Sequence, residues 1–194
     1  ADGCTDITPK TPNAVTAGPS VALSPLVLAI PKSLAGSVTA APTWAQLVAF
    51  TLPVQFADPT VSASSRLALS SAYAALGTSS EARIALGAAM IRLSRTKVAA
   101  EDALFAAAAA GTQPATAFPA EEAVVAAYNS THASAPLAAA IPSDGTRGFD
   151  HPFVTVGAPA ADVKAAADAL LAALQSPAGK EAVAAAGYRS GPTD

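Results

Sequence analysis

Short runs of branched residues alternate along this chain with longer, alanine-rich segments of helical periodicity. The clearest run, Ser20–Ile30, reads SVALSPLVLAI and predicts a buried strand in which Pro25 marks a bend or an edge. Further short extended segments are predicted at Val54–Ala57, Thr116–Phe118, Leu137–Ile141 and Pro152–Val156. Strands that alternate with helices are typical of an α/β fold.

The predicted helices follow from apolar spacing and from residues that start or stop a helix. One helix carries Leu69, Tyr73 and Leu76 on one face and ends at Gly77. The next begins with the capping-box spacing of Thr78–Glu81 and carries the stripe Ile84, Ala88 and Ile91. The other predicted helices are Trp44–Phe50, Val98–Ala110, a helix from Pro119 to about Asn129, a helix with Val163, Ala167, Leu170, Leu171 and Leu174 on a face that we expect to be buried, and a helix from the cap Ser176-Pro177 to Gly187.

The charge balance excludes two classes of partner. The formal net charge is −3 and only 13% of the residues are charged, without a cluster of Lys or Arg. A nucleic-acid-binding protein normally needs a basic stripe, and an anionic membrane surface attracts the same pattern. We therefore expect no nucleic-acid partner, and the longest apolar run, Val21–Ile30, is too short to span a bilayer.

The residues that usually carry catalysis or bind metals do not form a set. His132 and His151 are the two histidines, and no cysteine–histidine pattern has zinc spacing. The neighbouring Glu121 and Glu122 suit the first turn of a helix better than a catalytic pair, and Asp144-Gly145 reads as a turn. The sequence predicts no enzyme, no cofactor and no metal site.

The N-terminal segment 1–19, rich in proline and polar residues, predicts a linker or a surface arm. It contains the single cysteine, Cys4, so no disulfide can form within the chain. Cys4 is then a thiol without a special role, half of a disulfide to a partner chain, or a lipid-modified cysteine.

Several segments, in the same order along the chain, resemble bacterial extracellular solute-binding proteins of the type II periplasmic-binding fold. The similarity is greatest to a branch that is often fused to a von Willebrand factor type A domain. The segments are SVALSPLVLAIPKSLAG (Ser20–Gly36), Thr43-Trp44, ADPTVSASSRLAL (Ala57–Leu69), FPAEEAVVAAYN (Phe118–Asn129), IPSDGT (Ile141–Thr146), HPFVTV (His151–Val156) and SPAGKEAVAAAGYR (Ser176–Arg189).

The resemblance implies a domain organisation. Residues 20–157 would form the hinge strands and lobe two, and residues 158–194 would form helices that pack on lobe one. Leu26–Ile30 and Pro152–Val156 would be the hinge strands. Most of lobe one would lie in a segment that precedes Ser20 in such proteins, so residues 1–19 would be a linker or a remnant of lobe one.

The resemblance also implies a function, the capture of a small polar or anionic solute outside the cell or at its surface. We expect the ligand-binding residues to be Ser24, Ser62, Ser64, Ser65, Gly145 and Thr146. The serines after Asp58 would offer hydroxyls and free helix amides, although a serine-rich helix cap without a ligand has the same pattern. The implied partner is a membrane transporter or a von Willebrand factor type A domain. The alternative is a cell-surface interaction module that keeps the fold and transports no ligand.

Overall fold

The computed structural model describes residues 15–36, 38 and 41–190, which form a mixed α/β structure. These residues belong to two compact units: Pro25–Gly148 forms one, and the described parts of Ala1–Ser24 and Phe149–Asp194 form the other. Cys4 and most of the predicted linker lie outside the described residues. The elements are β1 (Val15–Pro31), α1 (Lys32–Ala35), α2 (Trp44–Val48), α3 (Ala63–Leu76), α4 (Ser80–Thr96), α5 (Glu101–Ala109), β2 (Phe118–Glu121), α6 (Glu122–Thr131), β3 (Leu137–Ala140), β4 (Gly148–Val156), α7 (Ala161–Gln175) and α8 (Pro177–Ala185).

Strand β1 is the centre of the sheet in the Pro25–Gly148 unit. Its residues Leu26–Ala29 pair antiparallel with β2, and Leu28–Pro31 pair antiparallel with β3. β1 continues through Pro25, so the strand is not interrupted there, and Pro25 lies just before the first residue that pairs with β2. Proline is tolerated there because the pairing with β2 starts at Leu26, so the missing N–H removes no bond of that ladder.

The core of this unit lies against the sheet and is built from small and medium side chains around a few rings. The ring of Phe105 meets Phe118 edge-on, with 5.0 Å between the centroids, and also contacts Tyr128. Such aromatic pairs compensate for the small area that each alanine buries. The buried members of the cluster are Val27, Ala29, Ala57, Leu104, Phe118, Ala120, Val125, Tyr128 and Leu137.

Helices α3 and α4 have defined ends. Gly77 ends α3 with a positive φ of 78°, which confirms the predicted stop, because glycine adopts this conformation without a steric penalty. The cap predicted at Thr78 is wrong by one residue. Ser79 is the N-cap of α4, and its hydroxyl accepts a hydrogen bond from the Ala82 N–H.

Three sequence predictions in this unit need correction. Ile84 and Ile91 are exposed rather than buried, because α4 turns Ala82, Ala89 and Leu93 inward. Pro119 is a buried residue of β2 and not the first residue of a helix, since Glu121 is the N-cap of α6. Val54 and Ala57 each form a single parallel bridge, to Ala117 and to Val98, instead of a strand.

The second unit combines the start of β1 with β4, α7 and α8. Residues 15–19, which were predicted as linker, belong to β1. β4 pairs with β1. The backbone of β1 at Gly18 is so close to β4 that a Cβ atom added to Gly18 would lie 2.8 Å from the Phe153 carbonyl oxygen. The contact with the second predicted hinge strand is therefore made at Gly18, upstream of Leu26–Ile30. A glycine-containing segment of this kind looks like a loop by composition, although a close backbone approach also requires glycine.

Helices α7 and α8 follow β4. The N-cap Ser176 and the first-position Pro177 of α8 confirm the predicted start, and the Ser176 hydroxyl accepts from the Gly179 N–H. The predicted burial of the α7 stripe is wrong for the described residues. Val163 and Leu170 are each 55% exposed, and Leu171 and Leu174 are partly buried. None of the described helices is long and apolar enough to cross a membrane.

Candidate functional site

The turn before α3 is held by one carboxylate. Asp58 accepts hydrogen bonds from the N–H and the hydroxyl of Thr60, at 2.9 and 2.8 Å, and forms an ion pair with Lys97. The hydrogen bond from the Lys97 ammonium, followed by those from Thr60, lowers the pKa of Asp58 to about 2. Asp58 therefore stays ionised at neutral pH and fixes the chain as it enters α3.

The predicted serines Ser62, Ser64 and Ser65 lie together at the N-terminus of α3, and all are buried. Ser62 is the N-cap and accepts from the Ser65 N–H at 3.1 Å. The hydroxyls of Ser62 and Ser64 donate to the two carboxylate oxygens of Glu101, at 2.9 Å to Oε2 and 3.2 Å to Oε1. The serine pair thus holds a carboxylate from the first residue of α5. We call Ser62, Ser64, Ser65 and Glu101 the serine–glutamate cluster.

Glu101 is the titratable member of this cluster. Burial raises the pKa of its carboxyl group above the ordinary value, against the hydrogen bonds from Ser62 and Ser64, which act in the opposite direction. The negative charges of Glu121 and Asp102 raise it further. The carboxylate therefore lies in a partly buried and locally acidic environment, and its protonation is easier than that of an exposed glutamate.

Ser65 differs from the other two serines. Among the described residues, its Oγ is the only buried side-chain oxygen without a hydrogen-bond partner. A buried hydroxyl without a partner costs free energy, so such groups are uncommon in folded proteins. This hydroxyl is a free donor and acceptor next to two hydroxyls that are already bonded.

The predicted turn residues Gly145 and Thr146 lie in a second place on the same unit. The Asp144 carboxylate accepts from the Trp44 N–H, at 3.0 Å to Oδ2, and the Trp44 indole N–H donates to the Gly145 carbonyl at 2.8 Å. Thr146 Oγ1 donates to the Leu26 carbonyl. This turn therefore fixes the start of α2 against β1, and its polar groups are used within the unit.

The structure does not bring the two groups of predicted site residues together. The turn borders a shallow cavity of about 310 Å³ whose helical wall is Ser71, Ala74 and Ala75. Ala74 is ten residues after Ser64 on α3, which corresponds to about 15 Å along a helix. Ser24, the remaining predicted residue, is a buried residue of β1 in the other unit.

Glu101 is the site residue that the sequence analysis missed. It lay near the start of the helix predicted from Val98 to Ala110, and the observed helix α5 begins at Glu101 itself. An acid near the start of a helix normally signals only a favourable helix dipole. Its contacts with Ser62 and Ser64 span 39 and 37 residues of sequence, so no local pattern indicates them.

The family model of bacterial extracellular solute-binding proteins matches residues 10–189. No curated protein matches the chain.

Solved structures agree on the fold. An extracellular solute-binding protein from Bordetella parapertussis superposes with a TM-score of 0.65 at 15% identity, over 90% of this chain and 55% of the other. The sulfate-binding protein SubI from Mycobacterium tuberculosis superposes with a TM-score of 0.55 at 18% identity, over 91% of this chain and 58% of the other. A two-component-system protein that mediates signal transduction superposes with a TM-score of 0.62 at 13% identity, over 90% of this chain and 54% of the other.

This chain thus spans little more than half the length of the structures that it matches. The match to the family model covers nearly all of the chain, and its fold is that of the solute-binding neighbours. The chain belongs to the family of bacterial extracellular solute-binding proteins.

Proposed function

We propose that this protein captures a small polar or anionic solute between two lobes, outside the cytoplasmic membrane, and presents it to a membrane transporter. The family and the fold support a binding role without catalysis. One structural neighbour is a sulfate-binding protein, and sulfate is a small oxyanion.

The observation that carries the proposal is the group of three buried serines, Ser62, Ser64 and Ser65, at the start of α3. The first turn of a helix has free N–H groups and a partial positive charge, and small hydroxyl side chains allow a solute to come close to them. In this chain the Ser62 and Ser64 hydroxyls already bond two carboxylate oxygens, which shows that their geometry suits an oxygen-rich group. Ser65 adds a buried hydroxyl without a partner.

A second candidate function is a surface interaction module without a transported ligand. It is favoured by the fact that the bonding partner of Ser62 and Ser64 is internal, and by apolar side chains that are exposed on α7, among them Val163 and Leu170. An apolar helical face is typical of contact with another protein surface.

Native mass spectrometry of the freshly isolated full-length protein separates the two functions. Solute capture predicts a defined added mass that disappears on denaturation. In the variant Ser64→Ala/Ser65→Ala the added mass should be lost. The protein should stay folded because the cap Ser62 remains, with a moderate fall in melting temperature because the hydrogen bond from Ser64 to Glu101 is lost. The matched control is Ser70→Ala/Ser94→Ala, which changes two exposed helical serines and should keep the added mass. A wild-type protein without any added mass, isolated together with a bound protein, would support the interaction module instead.

A further inference from the structure

We propose that α4 carries a docking surface for a second copy of this chain, and that the two α4 helices lie antiparallel in the pair. The surface is on the Pro25–Gly148 unit, and the inference goes beyond the proposed function because it does not depend on solute capture. Its exposed residues, which we call the α4 outer face, are Glu81, Ile84, Ala88, Ile91 and Arg95.

The centre of the α4 outer face is apolar and points away from the core. Ile84 is 73% exposed and Ile91 is 59% exposed, whereas the buried residues of the helix are Ala82, Ala89 and Leu93. At about 100° of rotation per residue, Leu93 lies on the opposite side of the helix from Ile84, and Ile91 lies only about 20° from it. A surface helix normally has polar residues opposite the core, so two isoleucines there indicate a contact surface.

The charges at the two ends of the face have opposite signs. Glu81 lies in the first turn of α4 and Arg95 in the last, about 21 Å apart along the helix and both within about 60° of Ile84 around it. Hydrogen bonds from its own N–H and from the Ser79 hydroxyl lower the pKa of Glu81, so this carboxyl group is ionised at neutral pH. No described residue forms an ion pair with Arg95. The face therefore has an acid at one end, a base at the other and apolar side chains between them.

An antiparallel second copy satisfies both features of this face. A twofold axis beside Ala88 places Glu81 of each copy level with Arg95 of the other, because the two residues are equally far from Ala88 along the chain. The same axis places Ile84 of each copy within about one residue of the level of Ile91 of the other. Each group thus meets its complement, as a twofold interface requires, whereas a parallel copy would set like charges side by side.

The neighbouring residues leave the face open to a partner. A Cβ atom added to Gly87 would meet no atom within 4 Å, so nothing covers the helix beside Ala88 within the described part of the chain. Small residues at the centre also allow two helix axes to approach closely. Arg92, the next cation on this side, is turned away from the face, since its guanidinium carbon lies 4.0 Å from the centroid of the Phe50 ring.

Sedimentation equilibrium of the full-length protein over a series of concentrations tests this pairing. The wild type should approach the mass of a dimer as the concentration rises. Glu81→Arg and Arg95→Glu each set like charges opposite one another at both ends of the pair, and each should raise the dimer dissociation constant at least about tenfold. Combining the two reversals in one chain, or mixing the two single variants, sets opposite charges together again and should recover the dimer.

Two further variants test the apolar centre. Ile84→Ser should abolish the dimer, whereas Met90→Ser should keep it. Met90 is the matched control because it is also exposed, at 42%, but lies about 120° away from Ile84 around the same helix. Circular dichroism shows that each variant is folded.

A wild type that stays monomeric at every concentration would overturn the proposal. A dimer that neither charge reversal weakens, or that the combined reversal does not restore, would overturn it as well. None of the substituted residues belongs to the serine–glutamate cluster, so a failure of solute capture and a failure of this pairing are separate results.

Discussion

At the scale of single residues, Glu101 links the first turns of α3 and α5 through two serine hydroxyls. Because burial raises the pKa of its carboxyl group in the folded protein, the folded state holds this proton more tightly than the unfolded chain. This tighter binding of the proton stabilises the folded protein. The stabilisation is complete below the pKa that Glu101 has in the unfolded chain, and it is lost as the pH rises through the higher pKa that Glu101 has in the folded protein.

We therefore expect the wild type to lose stability relative to Glu101→Gln as the pH rises. Urea unfolding of both proteins at about pH 4 and about pH 7 measures this change. Asp58, whose pKa is about 2, contributes stability that is lost only at lower pH, and it is present in both proteins, so its contribution cancels. A stability difference that stays constant over this range would contradict the raised pKa of Glu101.

Asp144 offers a second test at this scale. Its carboxylate accepts from the backbone N–H of the buried residue Trp44 at the start of α2. Asp144→Ala leaves this N–H without its partner and should cost about 1–2 kcal/mol of unfolding free energy. Asp144→Asn keeps a side-chain oxygen and should cost less. Equal stability of Asp144→Ala and the wild type would show that the turn does not fix α2.

At the scale of elements, the two neighbouring residues before α4 make a matched pair. The Ser79 hydroxyl accepts from the Ala82 N–H, whereas Thr78 lies outside the helix. Ser79→Ala should lower the free energy of unfolding by about 1 kcal/mol, and that of Thr78→Ala should stay within about 0.5 kcal/mol of the wild type. The midpoints of chemical unfolding compare them, and a larger effect at Thr78 would contradict the observed cap.

Two leucines on different helices test the packing. Leu104 of α5 is 2% exposed within the core cluster, whereas Leu170 of α7 is 55% exposed. Leu104→Ala should lower the free energy of unfolding by about 2–5 kcal/mol, and Leu170→Ala should lower it by less than about 1 kcal/mol. If the two substitutions cost the same in the full-length protein, another surface covers the α7 face there.

The errors of sequence prediction at this scale have physical causes. Gly77 and Ser176-Pro177 were predictable because a helix stop and a helix start depend on local geometry. The stripes on α4 and α7 were not, because apolar periodicity identifies a helix but does not show whether a partner covers each face. On α4 the covered positions are alanines and Leu93, while the larger Ile84 and Ile91 are exposed.

At the scale of the whole molecule, the order of short motifs along the chain indicated the family, and the family model and the solute-binding fold confirm it. The candidate site could be predicted only in part. Ser62, Ser64 and Ser65 were predicted because they cluster at a predicted helix start, and the structure places them at the N-terminus of α3, while their role in binding stays a prediction. Glu101 was not found, since its contacts come from the tertiary packing of α5 against the start of α3.

The central claim is that a solute is bound at the start of α3. Hydrogen exchange measures it directly when the protein as isolated is compared with the same protein stripped of solute by unfolding and refolding. We expect amides of the peptide from Asp58 to Leu67 to exchange more slowly in the protein as isolated, because a bound solute covers the free N–H groups of this turn. Amides of α8 (Pro177–Ala185) serve as the internal reference. Identical exchange of the Asp58–Leu67 peptide in the two samples, with slowed exchange elsewhere in the chain, would contradict the claim.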